Sequence, residues 1–140
     1  MTVNAKTETA GQGSFALKIG PWVLRLAVAF IFVSSGLEKC GIGPGEEWVR
    51  MFNKIGLGDW FRYFTGVLEV AGGVLLIIPF AVKVGAGLLV LCMAGAIVCH
   101  IFILGDPFSS IINIGLIVAI LGAAHQRKPD AEEMTTPQLR

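Results

Sequence analysis

The chain has 140 residues, of which 54% are apolar and 15% are charged, and its formal net charge at pH 7 is +1. A water-soluble domain of this length normally has about 25% charged residues, so the composition argues against a soluble protein and for a membrane protein. A net charge this close to zero gives no basis for a nucleic-acid partner.

The N-terminal part of the chain predicts a tail followed by a first spanning helix. Residues 1–18 are small and polar, which predicts disorder. Residues 22–39 are apolar over nearly the length of about 20 residues that a helix needs to cross a bilayer. Arg25 lies one turn into this helix and can reach back to the interface. The alternative, a cleaved signal peptide, is disfavoured because no A-x-A site follows the segment.

The first loop, residues 40–60, contains a short amphipathic helix. From Glu46 to Ile55, apolar residues recur at positions i, i+3, i+4 and i+7, and these are Trp48, Met51, Phe52 and Ile55. This pattern predicts a helix that lies on the membrane surface. Packing over the mouth of the bundle is an alternative that the sequence leaves open.

Three further apolar segments predict spanning helices. They cover residues 61–78, 82–104 and 109–124. The first of them stops at Pro79, and the short connection to the next makes the two an antiparallel hairpin. Ser109 or Ser110 is the predicted cap of the last helix.

The predicted fold class is therefore all-α, a four-helix transmembrane bundle with a short interfacial helix in the first loop. The membrane domain covers residues 19–128, and residues 129–140 form a second disordered tail. A soluble bundle is the alternative, but the second and third spans are apolar on every face rather than along one stripe.

Glycines in the spans predict close approach of helix backbones, as membrane bundles require. They are Gly66, Gly72, Gly73, Gly85, Gly87, Gly95, Gly115 and Gly122.

The distribution of basic residues predicts the orientation. The side of the termini has Lys6, Lys18, Lys83, Arg127 and Lys128. The opposite side has Lys39, Arg50, Lys54 and Arg62. The excess on the first side favours cytoplasmic termini.

Polar residues inside the spans are the candidate functional residues, because an ionisable group in hydrocarbon is costly unless it is paired or wet. At about 1.5 Å of rise per residue, His100 and Asn113 lie about 6 Å below the loop side and Glu69 about 12 Å below it. Lys39 lies at that boundary, and Arg25 belongs to the opposite half. Glu69 must either be neutral or find a cation, for which Lys39 and His100 are both candidates.

Two interpretations of these residues remain. In one they only hold helices together. In the other they line a polar pocket open to the loop side, in which Glu69 and His100 exchange protons. The predicted ligand-binding residues of that pocket are Lys39, Glu38, Asn113 and Arg25.

Cysteines and histidines add little. Cys40, Cys92 and Cys99 form no C-x-x-C motif, and we expect buried, inert thiols rather than a Cys40–Cys99 bond. His100 and His125 lie on different segments without ligand spacing, so no metal site is predicted.

Several short motifs resemble the DoxX-like membrane proteins. They are Leu24-Arg25-Leu26, Ser35-Gly36-Leu37-Glu38-Lys39, the run Gly66-Val67-Leu68-Glu69-Val70-Ala71-Gly72-Gly73 and a histidine, His100, near the end of the third span. The resemblance covers about residues 21–125. Arg25, Gly36, Lys39, Glu69 and His100 match recurring positions of that family.

The resemblance implies a four-helix bundle in the bacterial cytoplasmic membrane. Some members of the family are small subunits of thiosulfate:quinone oxidoreductases, others are linked to redox-stress complexes, and an animal branch assists receptor assembly. The resemblance therefore favours a redox-associated membrane subunit that binds a quinone-like ligand, and at most a subunit of an enzyme. We expect the lipid bilayer as its partner, with a soluble or membrane redox subunit and self-association as further candidates.

Two other classes of function remain as alternatives. The first is a non-enzymatic binding or assembly protein that uses the same polar cluster. The second is a small-solute transporter, which four spans without an inverted repeat make less favourable.

Overall fold

A computed structural model describes residues 4–125, with side chains described from Gly20 onward except Pro21. This part of the chain is helical throughout and contains no strand. Its elements are α1 (Asn4–Lys39), α2 (Glu46–Ile55), α3 (Asp59–Ile77), α4 (Val82–Cys99), a π-helical segment (His100–Leu104) that continues α4, and α5 (Pro107–Ala124). The predicted C-terminal tail, residues 129–140, lies outside the described residues.

The first helix is longer than the sequence predicts. It begins at Asn4, so it runs through most of the segment predicted as a disordered tail, residues 1–18. Its C-terminal end at Lys39 agrees with the prediction.

Three helices are long and apolar enough to cross a membrane. They are Asp59–Ile77, Val82–Leu104 and Pro107–Ala124, which correspond to the last three predicted spans. The first predicted span, residues 22–39 of α1, stays a prediction.

The four long helices pack in a ring. α3 contacts α1 and α4, and α5 closes the ring by contacting α4 and α1. Their shared core contains side chains that are almost fully buried, namely Phe32, Leu76, Leu89 and Ile120. α3 and α4 form the predicted antiparallel hairpin, since Gly72 of α3 lies against Leu89 of α4 while Leu76, one turn later in α3, lies against Gly85, one turn earlier in α4.

Glycines bring α1 and α3 to backbone contact. A Cβ on Gly36 would lie 2.6 Å from the carbonyl oxygen of Gly66, and a Cβ on Gly66 would lie 2.7 Å from that of Gly36. The packing role predicted for Gly66 is therefore confirmed. For Gly87, Gly95 and Gly115 it is wrong within the described chain, because a Cβ at each would meet nothing within 4 Å.

Asp106, rather than Ser109 or Ser110, caps α5. Its carboxylate accepts hydrogen bonds from the backbone N–H of Phe108 and of Ser109, and Pro107 occupies the first turn. A shorter bond of 2.7 Å comes from the Ser109 hydroxyl, and it lowers the pKa of Asp106 below its ordinary value of 3.8. The predicted cap was therefore wrong by three or four positions, although the predicted helix is correct.

Candidate functional site

A cavity of about 480 Å³ lies between the long helices and beneath α2. Its walls are mostly apolar and aromatic. Polar side chains reach it from every long helix, and these are Ser35, Lys39, Thr65, Glu69, His100, Ser109 and Asn113. Both the size and an apolar lining with few polar groups are typical of small-molecule sites.

A buried ion pair lies at one end of the cavity. The ammonium of Lys39 is 2.7 Å from the carboxylate of Glu69, and the two side chains are 5% and 2% exposed. Ser35, one helical turn before Lys39, accepts a 2.6 Å hydrogen bond from the ammonium and donates to Glu69 at 3.2 Å. Of the two outcomes that the sequence left open for Glu69, the structure has the pairing with a cation, and the cation is Lys39 rather than His100.

Trp48 of α2 covers the ion pair from above. The Lys39 ammonium lies 3.6 Å from the centre of the indole ring, which is a cation–π contact. The indole N–H donates a 2.9 Å hydrogen bond to the carboxylate of Glu38. The sequence placed Trp48 on the apolar face of α2, but it did not single the residue out.

His100 and Asn113 both line the cavity, and each has a buried side-chain nitrogen without a hydrogen-bond partner among the described residues. His100 is 9% exposed, and within residues 20–125 neither its Nδ1 nor the Nδ2 of Asn113 has a hydrogen-bond partner. Buried polar groups normally are hydrogen-bonded, so the two nitrogens are candidates for hydrogen bonds to a bound ligand. The sequence predicted that these residues lie near Lys39 and Glu69, and the cavity does bring the four together.

The π-helical segment begins at His100. The carbonyl oxygen of His100 accepts hydrogen bonds from the backbone N–H groups of Gly105 and Asp106. Gly105, with φ +66°, directly follows the segment. Short π-helical segments are rare and are often found at functional sites. The segment contacts α2, so the backbone that holds His100 also forms part of the cavity's cover.

Arg62 is a site residue that the sequence analysis did not find. It is 5% exposed, donates to the backbone carbonyl of Lys39 and lies 3.3 Å from the carboxylate of Asp59. It thereby ties the end of α1 to α3 at the residue that pairs with Glu69. A signal was present, because Arg62 and Glu69 are seven positions apart and therefore share a helix face.

Two predicted site residues lie apart from the cavity wall. Glu38 holds Trp48 from outside. Arg25 lies near the C-terminal end of α5, where it donates to the carbonyl of Ala123 at 3.2 Å and stacks on Trp22. The structure therefore gives both of them contacts within the protein, and only Glu38 acts close to the cavity.

The three cysteines are free and half-buried. Cys92 and Cys99 line the cavity, on the same face of α4, while Cys40 directly follows α1 and is not among the residues that line the cavity. Among the described residues no three His, Cys, Asp or Glu side chains lie close enough to hold a metal ion.

Comparison with known proteins identifies a family and one relative. The model of the DoxX-like family matches residues 23–124. A relative from Bacillus subtilis (strain 168), named "Putative oxidoreductase CatD", is 31% identical over 83 residues. That segment is 59% of this chain and 60% of CatD, so the chain covers less than two thirds of the length of this relative. No solved structure matches the chain.

The family match covers α3, the cavity and all three helices that are apolar enough to span a membrane. The resemblance found in the residues is thereby confirmed, and the chain belongs to the DoxX-like family of multi-pass membrane proteins.

Proposed function

We propose that this chain is the membrane subunit of a quinone-linked oxidoreductase and that the cavity holds the head group of a quinone-like ligand. The family and the name of the relative support a redox association. The carrying observation is the pair of unpartnered buried atoms, His100 Nδ1 and Asn113 Nδ2, on two residues that line a mostly apolar cavity.

The chemistry of these two groups suits a quinone. An amide N–H₂ donates to a carbonyl oxygen, and an imidazole nitrogen donates to a quinone oxygen or accepts from a hydroquinone hydroxyl, depending on its tautomer. Phe32, Phe61 and Phe64 supply apolar and aromatic surface for the ring.

The contacts of Glu69 refine the roles that the sequence suggested. Its carboxylate already accepts from Lys39 and from Ser35. We therefore assign proton exchange with the ligand to His100, and assign to Glu69 the role of holding the Lys39 ammonium in place. The electrons would come from a partner redox subunit.

The same proposal includes the membrane arrangement. Four spans, with the first within α1 from about residue 22, place both termini on one side of a bacterial cytoplasmic membrane. The excess of basic residues on the side of the termini favours the cytoplasm for them. α2 then lies at the opposite surface, over the mouth of the cavity.

Co-purification tests the proposal. The full-length protein is purified in mild detergent from membranes that contain quinones, and the extracted quinone is quantified by mass spectrometry per mole of protein. His100→Ala and Asn113→Leu are expected to lower the amount at least about tenfold, because each removes a hydrogen bond from a buried ligand group.

The matched control is His125→Ala. His125 is exposed and lies outside the cavity, so the quinone content should stay that of the unmodified protein. Equal quinone in the His100→Ala protein and in the control would contradict the proposed site.

A second candidate function is supported by the closed network of Lys39, Glu69 and Ser35. These groups satisfy one another, as they would in a protein that uses them only to join helices and assembles with a partner chain. That function predicts a stoichiometric protein partner, retained equally by the unmodified protein and by His100→Ala.

A further inference from the structure

α2 forms the wall of the cavity on the side of the first loop. Its apolar face, made of Trp48, Met51, Phe52 and Ile55, lines the cavity. Phe52 is 6% exposed and packs against Phe61 of α3, with ring centres 5.8 Å apart. The C-terminal half of α2 is therefore anchored to α3, while Trp48 connects its N-terminal half to the end of α1.

Both connections of α2 contain glycines in the left-handed region of the backbone. Gly41 and Gly43 precede the helix with φ +85° and +108°, and Gly56 and Gly58 follow it with φ +78° and +79°. Glycine moves between positive and negative φ at low cost, so these connections can change conformation while α2 stays helical.

The contacts of Lys39 limit what else can bind there. An ammonium has three N–H donors. Ser35 and Glu69 take two of them, at 2.6 Å and 2.7 Å, and the ring of Trp48 covers the group at 3.6 Å. An oxygen atom of a ligand can therefore become the third acceptor only after the indole ring moves away.

We infer that α2 is a gate over the cavity and that the contact of Trp48 with Lys39 keeps this gate closed. A ligand oxygen that binds Lys39 displaces the indole ring and so opens the gate. Glu38 helps to keep Trp48 in this position, since its carboxylate accepts a hydrogen bond from the indole N–H. The expected ligand is a small molecule with an apolar ring and a carbonyl, hydroxyl or carboxylate oxygen. The inference rests on the proposed function only in treating the cavity as a ligand site.

The thiols of the cavity report whether the gate opens. In a Cys40→Ser background the remaining cysteines, Cys92 and Cys99, both line the cavity. Both are half-buried, so a small, charged methanethiosulfonate reagent added to the full chain in mild detergent should reach them faster when α2 opens. The rate of labelling, followed by intact-protein mass spectrometry, therefore measures access.

Trp48→Ala is expected to raise the labelling rate about fivefold or more, which is the factor expected for the loss of the cation–π contact between Trp48 and Lys39. Glu38→Ala is expected to raise it less, because the ring stays on Lys39. In a Trp48→Ala background, Glu38→Ala should add nothing, since the two residues act through one contact.

Two controls separate a gate from general loosening. Trp22→Ala removes an exposed tryptophan near Arg25, away from α2, and should leave the rate unchanged. A cysteine placed at Ala123, a fully buried position outside the cavity, should label no faster in the Trp48→Ala protein.

An unchanged labelling rate in the Trp48→Ala protein would overturn the gate, as would an equal acceleration at position 123. Neither result depends on quinone. Quinone retention with an unaffected labelling rate would leave the proposed function standing without the gate. A faster labelling rate in the Trp48→Ala protein, together with no quinone in the purified unmodified protein, would support the gate and contradict the proposed function.

Discussion

Lys39 connects three helices through one side chain and one carbonyl group. Its ammonium contacts Glu69 of α3 and Trp48 of α2, and its backbone oxygen accepts from Arg62. Because the ion pair is buried, removing one partner leaves the other charge without compensation. Lys39 is thus a residue whose loss should affect both the stability of the bundle and the shape of the cavity.

We expect Lys39→Met to lower the free energy of unfolding by about 3–5 kcal/mol, the usual cost of leaving one buried charge unpaired. Reversible unfolding by sodium dodecyl sulfate in mixed micelles, followed by circular dichroism, measures the change. The Lys83→Met protein is the control, because Lys83 is exposed at the start of α4.

The double variant Lys39→Met with Glu69→Leu distinguishes the cost of an unpaired buried charge from other effects of the substitution on stability. Apolar residues of similar volume often replace a buried ion pair without loss of stability, so most of the lost free energy should return. If the double variant is as unstable as the sum of the two single ones, the ion pair is not the cause.

The sequence predicted the residues of the central ion pair as candidates but not their surroundings. The depth of Glu69 in an apolar segment required either a neutral carboxyl or a cation, and Lys39 was one of two candidate cations. Arg62 was treated only as a loop-side charge, although its spacing from Glu69 placed both on one face. The apolar face of α2 showed that Trp48 is covered, but amphipathicity does not reveal which groups an aromatic ring will contact.

At the scale of elements, the crossing of α1 and α3 depends on two glycines. Gly36→Ala should destabilise the protein by about 1–3 kcal/mol, since the added methyl group would overlap the carbonyl of Gly66 and push the helices apart. The same detergent-unfolding measurement gives the value.

Gly87→Ala is the matched control for this substitution. It lies in α4 with open space around its Cβ position, and alanine favours helix by about 1 kcal/mol over glycine in water. The control should be neutral or slightly stabilising. Equal losses at both positions would show that close approach is not what Gly36 provides.

The cap of α5 predicts a dependence on pH. Hydrogen bonding from Ser109 lowers the pKa of Asp106, so the folded helix prefers the carboxylate. The contribution of the cap is complete above the carboxyl's pKa in the unfolded chain and is lost as the pH falls through its lowered pKa in the folded one. Amide exchange at Phe108 and Ser109 in micelles should therefore accelerate on acidification relative to the Asp106→Asn protein.

The asparagine of that variant keeps an acceptor oxygen but has no charge to titrate, so the variant corrects for the intrinsic effect of pH on exchange. If the two proteins keep the same ratio of exchange rates at every pH, protonation of Asp106 does not weaken the cap.

Hydropathy and stop signals placed the last three long helices within a few residues of their observed bounds. The cap of α5 could have been predicted correctly, because an aspartate directly before a proline is itself a signal for the start of a helix. The prediction chose a later serine instead. The π-helical segment was not readable, because apolar residues fill its hydrogen-bonding register and the α register equally well.

At the scale of the whole molecule, four spans would place α2 and the α3–α4 connection on opposite sides of the membrane. In a cysteine-free background, Asn53→Cys and Lys83→Cys are two exposed positions for an impermeant maleimide. With cytoplasmic termini, intact spheroplasts should label position 53, and position 83 only after permeabilisation.

The reverse pattern would invert the orientation, and labelling of both positions from outside would contradict the span between them, α3. The sequence supplies the family, the helical class and the half of the bundle where polar groups gather. It does not supply the identity of a ligand, because the unpartnered atoms of His100 and Asn113 appear only when the helices are packed.

The ion pair also constrains how the protein enters the membrane during synthesis. Lys39 precedes Glu69 by 30 residues, so it is made first. Lys39 lies at a helix end and can keep its ammonium in the headgroup region, whereas Glu69 lies in the middle of α3 and has no such recourse. α3 should therefore leave the translocon stably only when α1 is already beside it. We expect α1 and α3 to insert into the membrane together, as one unit.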